Sequence, residues 1–272
     1  MPGVIPLLRA SHVQPAVAVT AMTTALAVAA GRGWSSVWVA LALLSGQLFV
    51  GWSNDWLDRE RDRRSGRSDK PIAAGEVAAS AVGRAALVAV ALCVPLSLAN
   101  GWRAGLVHLA AVASAGLYNL RVKATVASPL PYAFSFGSLP YVVTYGLPGH
   151  PAPRPWAPLA ASLLGMGAHF VNTLPDQGDD LREGIRGLPQ RIGRTPSLLC
   201  GAALLLAAGV ALAVLPDGGP GAAIVLLGAQ AACVAALVVA ARLGRERLAW
   251  TLTIGSAVLA VALLLAQGSA LA

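Results

Sequence analysis

Asn54-Asp55-Trp56-Leu57-Asp58-Arg59-Glu60-Arg61-Asp62 closes one apolar segment, and Asn172-Thr173-Leu174-Pro175-Asp176-Gln177-Gly178-Asp179-Asp180 closes another. Both stretches carry the frame N-x-x-x-D-x-x-x-D. Of the 12 carboxylates in the chain, 10 fall between Asp55 and Glu76 or between Asp176 and Glu183. Carboxylates crowded at the end of an apolar run are expensive unless something compensates them. Clustered oxygen donors repel one another until a hard divalent cation arrives. The two stretches therefore read as two parts of one metal site.

The surrounding composition says what kind of chain carries them. Hydrophobic residues make up 56% of the 272 and charged residues 12%, where a soluble domain carries roughly 25% charge. The apolar runs are continuous and rich in Ala, Leu and Val, with no period-two alternation, so they predict membrane helices and not a β-barrel. The expected fold is all-α: a polytopic membrane protein with nine transmembrane helices bundled around a central cavity. The predicted spans are about 13–30, 36–55, 78–99, 103–120, 126–147, 156–175, 196–215, 220–241 and 247–267. Pro129, Pro131 and Pro140 interrupt the fifth, which is tolerable where neighbouring helices shield the freed carbonyls.

Nine spans give a charge pattern. With the N-terminus inside, the cytoplasmic segments hold 17 of the 20 basic residues, leaving only Arg32, Arg103 and Arg154 on the other face. The positive-inside rule selects this orientation. It places the protein in the cell membrane, with both acidic motifs cytoplasmic and the C-terminus outside. The net charge of +8 is explained by this topology, and no basic arm or domain points to nucleic acid. Cys93, Cys200 and Cys233 lie in separate apolar spans without metal spacing and read as buried small residues. The N-terminal stretch shows no clear cleavage site of a signal peptide.

The two motifs align beyond their acids. Asn54, Asp58 and Asp62 match Asn172, Asp176 and Asp180; Gly66 and Gly184 each lie four residues past the last Asp, and Pro71 and Pro189 nine past it. The register predicts a single transmembrane domain, 1–272, made of two pseudo-repeated halves, about 1–125 and 126–272.

On a helix, positions i, i+4 and i+8 share a face. Asn54, Asp58 and Asp62 are expected to point one way, with Asp55 adjacent as a further candidate metal ligand, and Asn172, Asp176 and Asp180 to repeat that geometry. Mg²⁺ takes few protein carboxylates and completes its shell with phosphate and water, so a diphosphate is the natural ligand between two such faces. Arg67, Lys70, Lys123 and Arg186 sit beside the acids and suit phosphate oxygens, though topology alone also explains basic residues there. Tyr118 reads either as a donor to the diphosphate or as an interfacial tyrosine. Glu60, Asp69, Glu76, Asp179 and Glu183 read at least as well as solvated ion-pair partners. Removing a diphosphate from an allylic carbon requires charge neutralisation and a dry chamber for the cation. Phe134, Phe136, Tyr141, Tyr145 and Phe170 are candidates to face that cation, or simply pack helices.

With these residues in view, the chain resembles the UbiA superfamily of intramembrane prenyltransferases. Asn54-Asp55-x-x-Asp58-x-x-x-Asp62 matches the family's N-D-x-x-D-x-x-x-D, and Arg67-Ser68-Asp69-Lys70-Pro71-Ile72-Ala73-Ala74-Gly75 is similar to its basic-Asp-basic-Pro loop. The second motif resembles D-x-x-x-D-x-x-x-D with Asn172 in the first Asp position. Gly184 to Gly193 is similar to G-x-x-(S/T)-L-P-x-x-x-G, with Gly187 in place of the hydroxyl residue, and Tyr118 with Lys123 is similar to a fourth-span Tyr…Lys element. The resemblance implies a nine-helix bundle around a central cavity and a prenyl diphosphate bound through Mg²⁺. Asn54, Asp58, Asp62, Asn172, Asp176 and Asp180 would hold metal, and Arg67, Lys70, Tyr118 and Lys123 the diphosphate. Asp58, Asp176 and Lys123 are the expected catalytic residues. It also implies either transfer of the prenyl group to an aromatic or quinone-precursor acceptor, or cyclisation to a terpene without an acceptor. Arg9 or His12 could seat an acceptor, and His169 could take its proton; snorkelling, capping and packing are the plainer readings of these three.

Overall fold

The computed structural model describes residues 3–216, 220–266 and 271–272. The predicted Pro216–Gly221 connection and the end of the last predicted span lie partly outside them. The helices are α1 (Val4–Arg9), α2 (Val13–Ala29), α3 (Ser36–Arg64), α4 (Ala79–Leu98), α5 (Trp102–Leu120), α6 (Pro129–Thr144), α7 (Trp156–Asn172), α8 (Gln177–Arg182), α9 (Leu188–Ile192), α10 (Arg194–Val214), α11 (Pro220–Arg242) and α12 (Glu246–Ala266). No strand occurs among the described residues. Each predicted span contains one long helix. By length and hydropathy alone, four segments qualify as membrane crossings: Gly33–Arg64, Ala79–Leu98, Arg194–Val214 and Ile224–Arg242.

The outer surface is apolar. Val17, Leu87, Leu92, Leu106, Leu117, Leu130, Phe134, Leu199, Val210 and Val239 are exposed, while Asp55, Asp58 and Asp62 are buried. A water-soluble protein reverses that arrangement; this is an integral membrane protein whose greasy side chains face lipid.

The prolines of α6 sit where a helix tolerates them. Pro129 and Pro131 occupy the first turn, where the backbone N–H has no partner to lose. Only Pro140 interrupts the ladder.

α2, α3, α5, α6, α7 and α12 surround the interior, with α4 packed outside α3 and α10 between α7 and α11. One end of the bundle is packed solid by Leu26, Val39, Leu43, Val142, Val143, Trp156, Ala157 and Leu212. Buried Arg32 pins this end, donating to the Val142 carbonyl and the Asn100 amide oxygen, while Asn100 donates to the Trp38 carbonyl. The other end carries the two acidic motifs.

The first motif extends the α3 helix nine residues past Asp55, to Arg64. The second does not repeat this. α7 stops at Asn172, residues 173–176 turn, and α8 begins at Gln177. The expectation of a second i, i+4, i+8 helical face is therefore corrected. Pro175 is the physical reason: it cannot donate to the residue four before it, and it pushes Leu174 away from the helical region.

The motifs converge again at their exits. Gly66 and Gly184 both adopt left-handed backbone, φ 66° and 81°. The next amide in each case reaches back five residues, Arg67 to the Asp62 carbonyl at 3.0 Å and Ile185 to the Asp180 carbonyl at 2.8 Å. Two helices thus end in the same glycine cap at the same register.

Candidate active site

A cavity of about 430 Å³ runs down the middle of the bundle. Asn54, Asp58 and Asp62 from α3 line it together with Asn172, Asp176 and Asp180 from the second motif. Arg67, Lys70, Tyr118 and Lys123 line it as well. The two acidic stretches, far apart in sequence, therefore share one mouth. Asp55 and Arg186 do not line it. Asp55 is fully buried, with an oxygen 3.3 Å from the Lys70 ammonium, and so braces a cation that does. Arg186 is exposed and offers its carbonyl to Arg191.

Asp58 is the centre of the cluster. It accepts from Lys123 Nζ on one oxygen, and from Asn54 Nδ2 at 3.2 Å and Arg61 at 2.9 Å on the other. Lys123 stands on the short turn Val122–Ala124 after α5. Burial lowers its pKa, and Asp58 opposes that by favouring the ammonium. Arg61 continues from Asp58 to Asp62 at 3.6 Å and to Glu183, three residues past the second motif, at 2.7 Å. Arg67 makes the other bridge: two nitrogens fork onto Asp69, and a third meets Asp176 at 3.1 Å. Asp69 raises the Arg67 pKa through these bonds. Asp69 falls in turn to about 2, with its hydrogen bonds to Arg67 as the largest cause. Asp180 accepts from Gln190 at 2.8 Å, while burial pushes its pKa up.

Lys70 lies between Asp55 and His12, its ammonium 3.3 Å from His12 Nε2. His12 is accessible from the cavity, yet desolvation by the protein packed around it and then the Lys70 charge lower its pKa. A neutral His12 facing an ammonium accepts on Nε2, so Nδ1 carries its proton. His12 lines the cavity, but Arg9 does not; Arg9 is exposed and pairs with Glu76 at 2.7 Å. His169 is also outside the lining. It is buried behind Tyr118 and Tyr132, ring centroids 5.7 and 4.8 Å away, and bonds Ser128 Oγ at 3.1 Å. It packs the wall. Of the five aromatic candidates only Phe136 lines the chamber; Tyr132 and Trp250 line it and were not expected.

Sequence reasoning also missed Arg61, Asn119 and Gln190, all of which line the mouth. The signal for Arg61 was present: it follows Asp58 by three residues, on the same helical face. Asn119 donates to Val50 and Ser53, a tertiary contact without a local pattern. The substitution of Gly187 for a hydroxyl residue also has a structural answer. A Cβ at 187 would meet the Lys123 carbonyl at 2.6 Å and Ser128 Oγ at 3.0 Å. Ser128 supplies the hydroxyl there instead, accepting from the Leu188 amide at 3.1 Å.

A divalent cation suits these residues. The donors at the mouth are carboxylate and amide oxygens, the set a hard cation prefers. Asp62 Oδ2 is buried without a hydrogen-bond partner, an acceptor waiting for a positive charge. Among the described residues no three His, Cys, Asp or Glu side chains are grouped as a ready-made metal site. The acids are instead parted by Arg61, Arg67, Lys70 and Lys123. Such an arrangement favours a cation that shares its ligands with phosphate oxygens over an all-protein cage.

The family model for the UbiA prenyltransferase family matches residues 16–252. The chain belongs to the UbiA prenyltransferase family. UbiA-type folds also match among solved structures. The apo structure of a UbiA homolog from Aeropyrum pernix K1 is 19% identical, covers 93% of this chain and 98% of its own, and has a TM-score of 0.74. A UbiA homolog from Archaeoglobus fulgidus bound to GPP and Mg²⁺ is 18% identical, covering 94% of this chain and 99% of its own, with a TM-score of 0.67. A digeranylgeranylglyceryl phosphate synthase is 17% identical over 99% of both chains, with a TM-score of 0.66. At these identities the likeness is one of fold. No curated protein gives a significant match.

Proposed function

We propose that this protein is an Mg²⁺-dependent intramembrane prenyltransferase, ionising a prenyl diphosphate and transferring the prenyl group to an aromatic or quinone-precursor acceptor. One observation carries the reading: both acidic motifs and four cationic side chains line the mouth of a single, otherwise largely apolar chamber. The relative solved with GPP and Mg²⁺ supports the same ligand class here.

Asn54, Asp58 and Asp62 would hold metal from one side, and Asn172, Asp176 and Asp180 from the other. A bound divalent cation supplies charge neutralisation at the leaving diphosphate. Arg61, Arg67, Lys70 and Lys123 bind its oxygens, exchanging their carboxylate partners for phosphate. Tyr118 closes the wall below them. Asp55 positions Lys70 and is assigned no metal. The apolar chamber excludes water from the allylic cation. Nine crossings, with the mouth cytoplasmic and the C-terminus outside, follow from the positive-inside rule, and the matching glycine caps after Asp62 and Asp180 support an origin by duplication of two halves.

A second reading has its own observation. Tyr132, Phe136 and Trp250 present aromatic groups to the chamber, and such faces stabilise a cation long enough to cyclise. Incubating purified protein with Mg²⁺ and C10, C15 or C20 prenyl diphosphates, with and without an aromatic acceptor, separates the two. Substrate that stays inert until an aromatic is added supports transfer. A cyclic hydrocarbon or alcohol formed without acceptor supports cyclisation. Retained Mg²⁺-dependent turnover in both Asp58→Ala and Asp176→Ala would defeat either.

A further inference from the structure

The chamber reaches deep into the bundle, and its length can be read along its walls. On α7 the lining residues are Ala157, Ala160, Ala161, Leu164, Ala168 and Asn172, a single stripe at helical spacing. From Asn172 at the mouth to Ala157 is 15 residues, about 22 Å at 1.5 Å per residue. On α2 the stripe runs from His12 to Leu26, about 21 Å by the same measure. The two walls agree.

The floor is formed where three helices reach the packed end of the bundle. Leu26 is three residues from the end of α2, Leu212 two from the end of α10, and Ala157 is the second residue of α7. All three line the cavity and are buried in the solid core.

An isoprene unit adds four carbons to the main chain, about 5 Å when extended at the ~1.2 Å per bond of an extended backbone. Four units fill the chamber from mouth to floor, and a fifth would have to enter packed core. We infer that the protein selects a prenyl diphosphate of four isoprene units, C20, and that the α7 alanine stripe and the Leu26–Ala157–Leu212 floor are its ruler. This deepens the prenyl-diphosphate reading and rests on it.

The test is binding of unreactive prenyl thiolodiphosphates of two, three, four, six and nine units to the full-length detergent-solubilised protein with Mg²⁺. Affinity should rise roughly fivefold or more with each unit up to four, as apolar surface is buried, and fall at six and nine. Ala161 lies 11 residues below Asn172, about 16 Å, so Ala161→Phe should invert the order and bind C10 more tightly than C20. Ala168→Phe, about 6 Å below, leaves room for about one unit and should weaken C10 and C20 alike. Affinity that keeps rising to nine units, is complete at two, or keeps its wild-type order in Ala161→Phe overturns the ruler and leaves the prenyl-diphosphate reading standing. Wild-type protein that binds none of the lengths sinks that reading and the ruler with it.

Discussion

The two acidic motifs share a spacing and a glycine cap, yet one is a continuous helix and the other is broken. Asn54, Asp58 and Asp62 stand on the last turns of the 29-residue α3, anchored by α4 and α5. Asn172 ends α7, Asp176 lies in a turn, and Asp180 rides on the six-residue α8. Burial follows the same division. The Asp58 side chain is 10% exposed and that of Asp176 48%. A short helix with few buried contacts opens more readily than a long packed one. The first motif is thus the more firmly packed wall of the cavity mouth and the second the more exposed one, tied across the mouth by the Arg61–Glu183 and Arg67–Asp176 bridges.

The largest effect should expose this asymmetry directly. Asp58→Ala removes a buried carboxylate that three donors share, and strands Lys123 without its partner. Its turnover should fall by roughly 10³ or more, the loss expected when preorganised charge is removed from a reacting centre. Asp176→Ala removes a half-exposed carboxylate held by one arginine, so its loss should be smaller, roughly 10²-fold. Single-turnover rates at saturating Mg²⁺ compare them. Equal losses would mean that the two walls contribute alike and that burial is no guide.

Pro175 is the residue that makes the motifs differ, so healing the break is the next test. Pro175→Ala restores a backbone donor and permits α7 to run on toward α8. Continuation would swing Asp176 and Asp180 away from their present register. Turnover should fall about tenfold to a hundredfold, as misplacement by about 1 Å does elsewhere, with thermal stability unchanged or higher. Activity at the wild-type level would show that the break is tolerated and not used.

Much of this was legible beforehand, for physical reasons that can be named. Helical identity came from apolar run length, and the shared mouth from the repeated spacing together with the charge bias. Lys123 was legible as a cation beside the acids, but its direct bond to Asp58 is a tertiary contact that no local pattern announces. The spacing of the second motif predicts a helical face, and Pro175 vetoes it locally. Asp55 was expected beside the metal candidates, yet as the residue after Asn54 it points to a different face of α3, toward Lys70. His169 and Phe134 were undecidable from pattern: an apolar helix face does not say whether it turns to lipid, to a neighbour or to a cavity.

The bridges between the walls should matter less than the acids, since partly exposed ion pairs are worth roughly 0–1 kcal/mol. Glu183→Gln releases Arg61 from the second wall while leaving its bond to Asp58. Affinity for an unreactive prenyl thiolodiphosphate should weaken about twofold to fivefold, with the maximal rate little changed. A rate loss without an affinity loss would place Glu183 in the chemistry and not in the clasp.

Asp69 sets the smallest and most selective test, because it holds Arg67 from the side away from Asp176. Its folded pKa, about 2, lies below the ordinary value of about 3.9 for an unfolded chain. A depressed carboxylate stabilises the fold above the unfolded value, and that contribution fades as pH drops from about 4 toward about 2. Wild-type protein should therefore lose an increment of thermal stability across that window which Asp69→Asn lacks. At neutral pH the variant frees two of the Arg67 nitrogens to turn toward Asp176, so it should tighten the clasp between the walls even as it discards the acid-sensitive increment. Identical pH–melting curves for the two proteins would show that Arg67 draws its order from Asp176 alone, and the fork on Asp69 would then be a surface pair with no part in joining the two motifs.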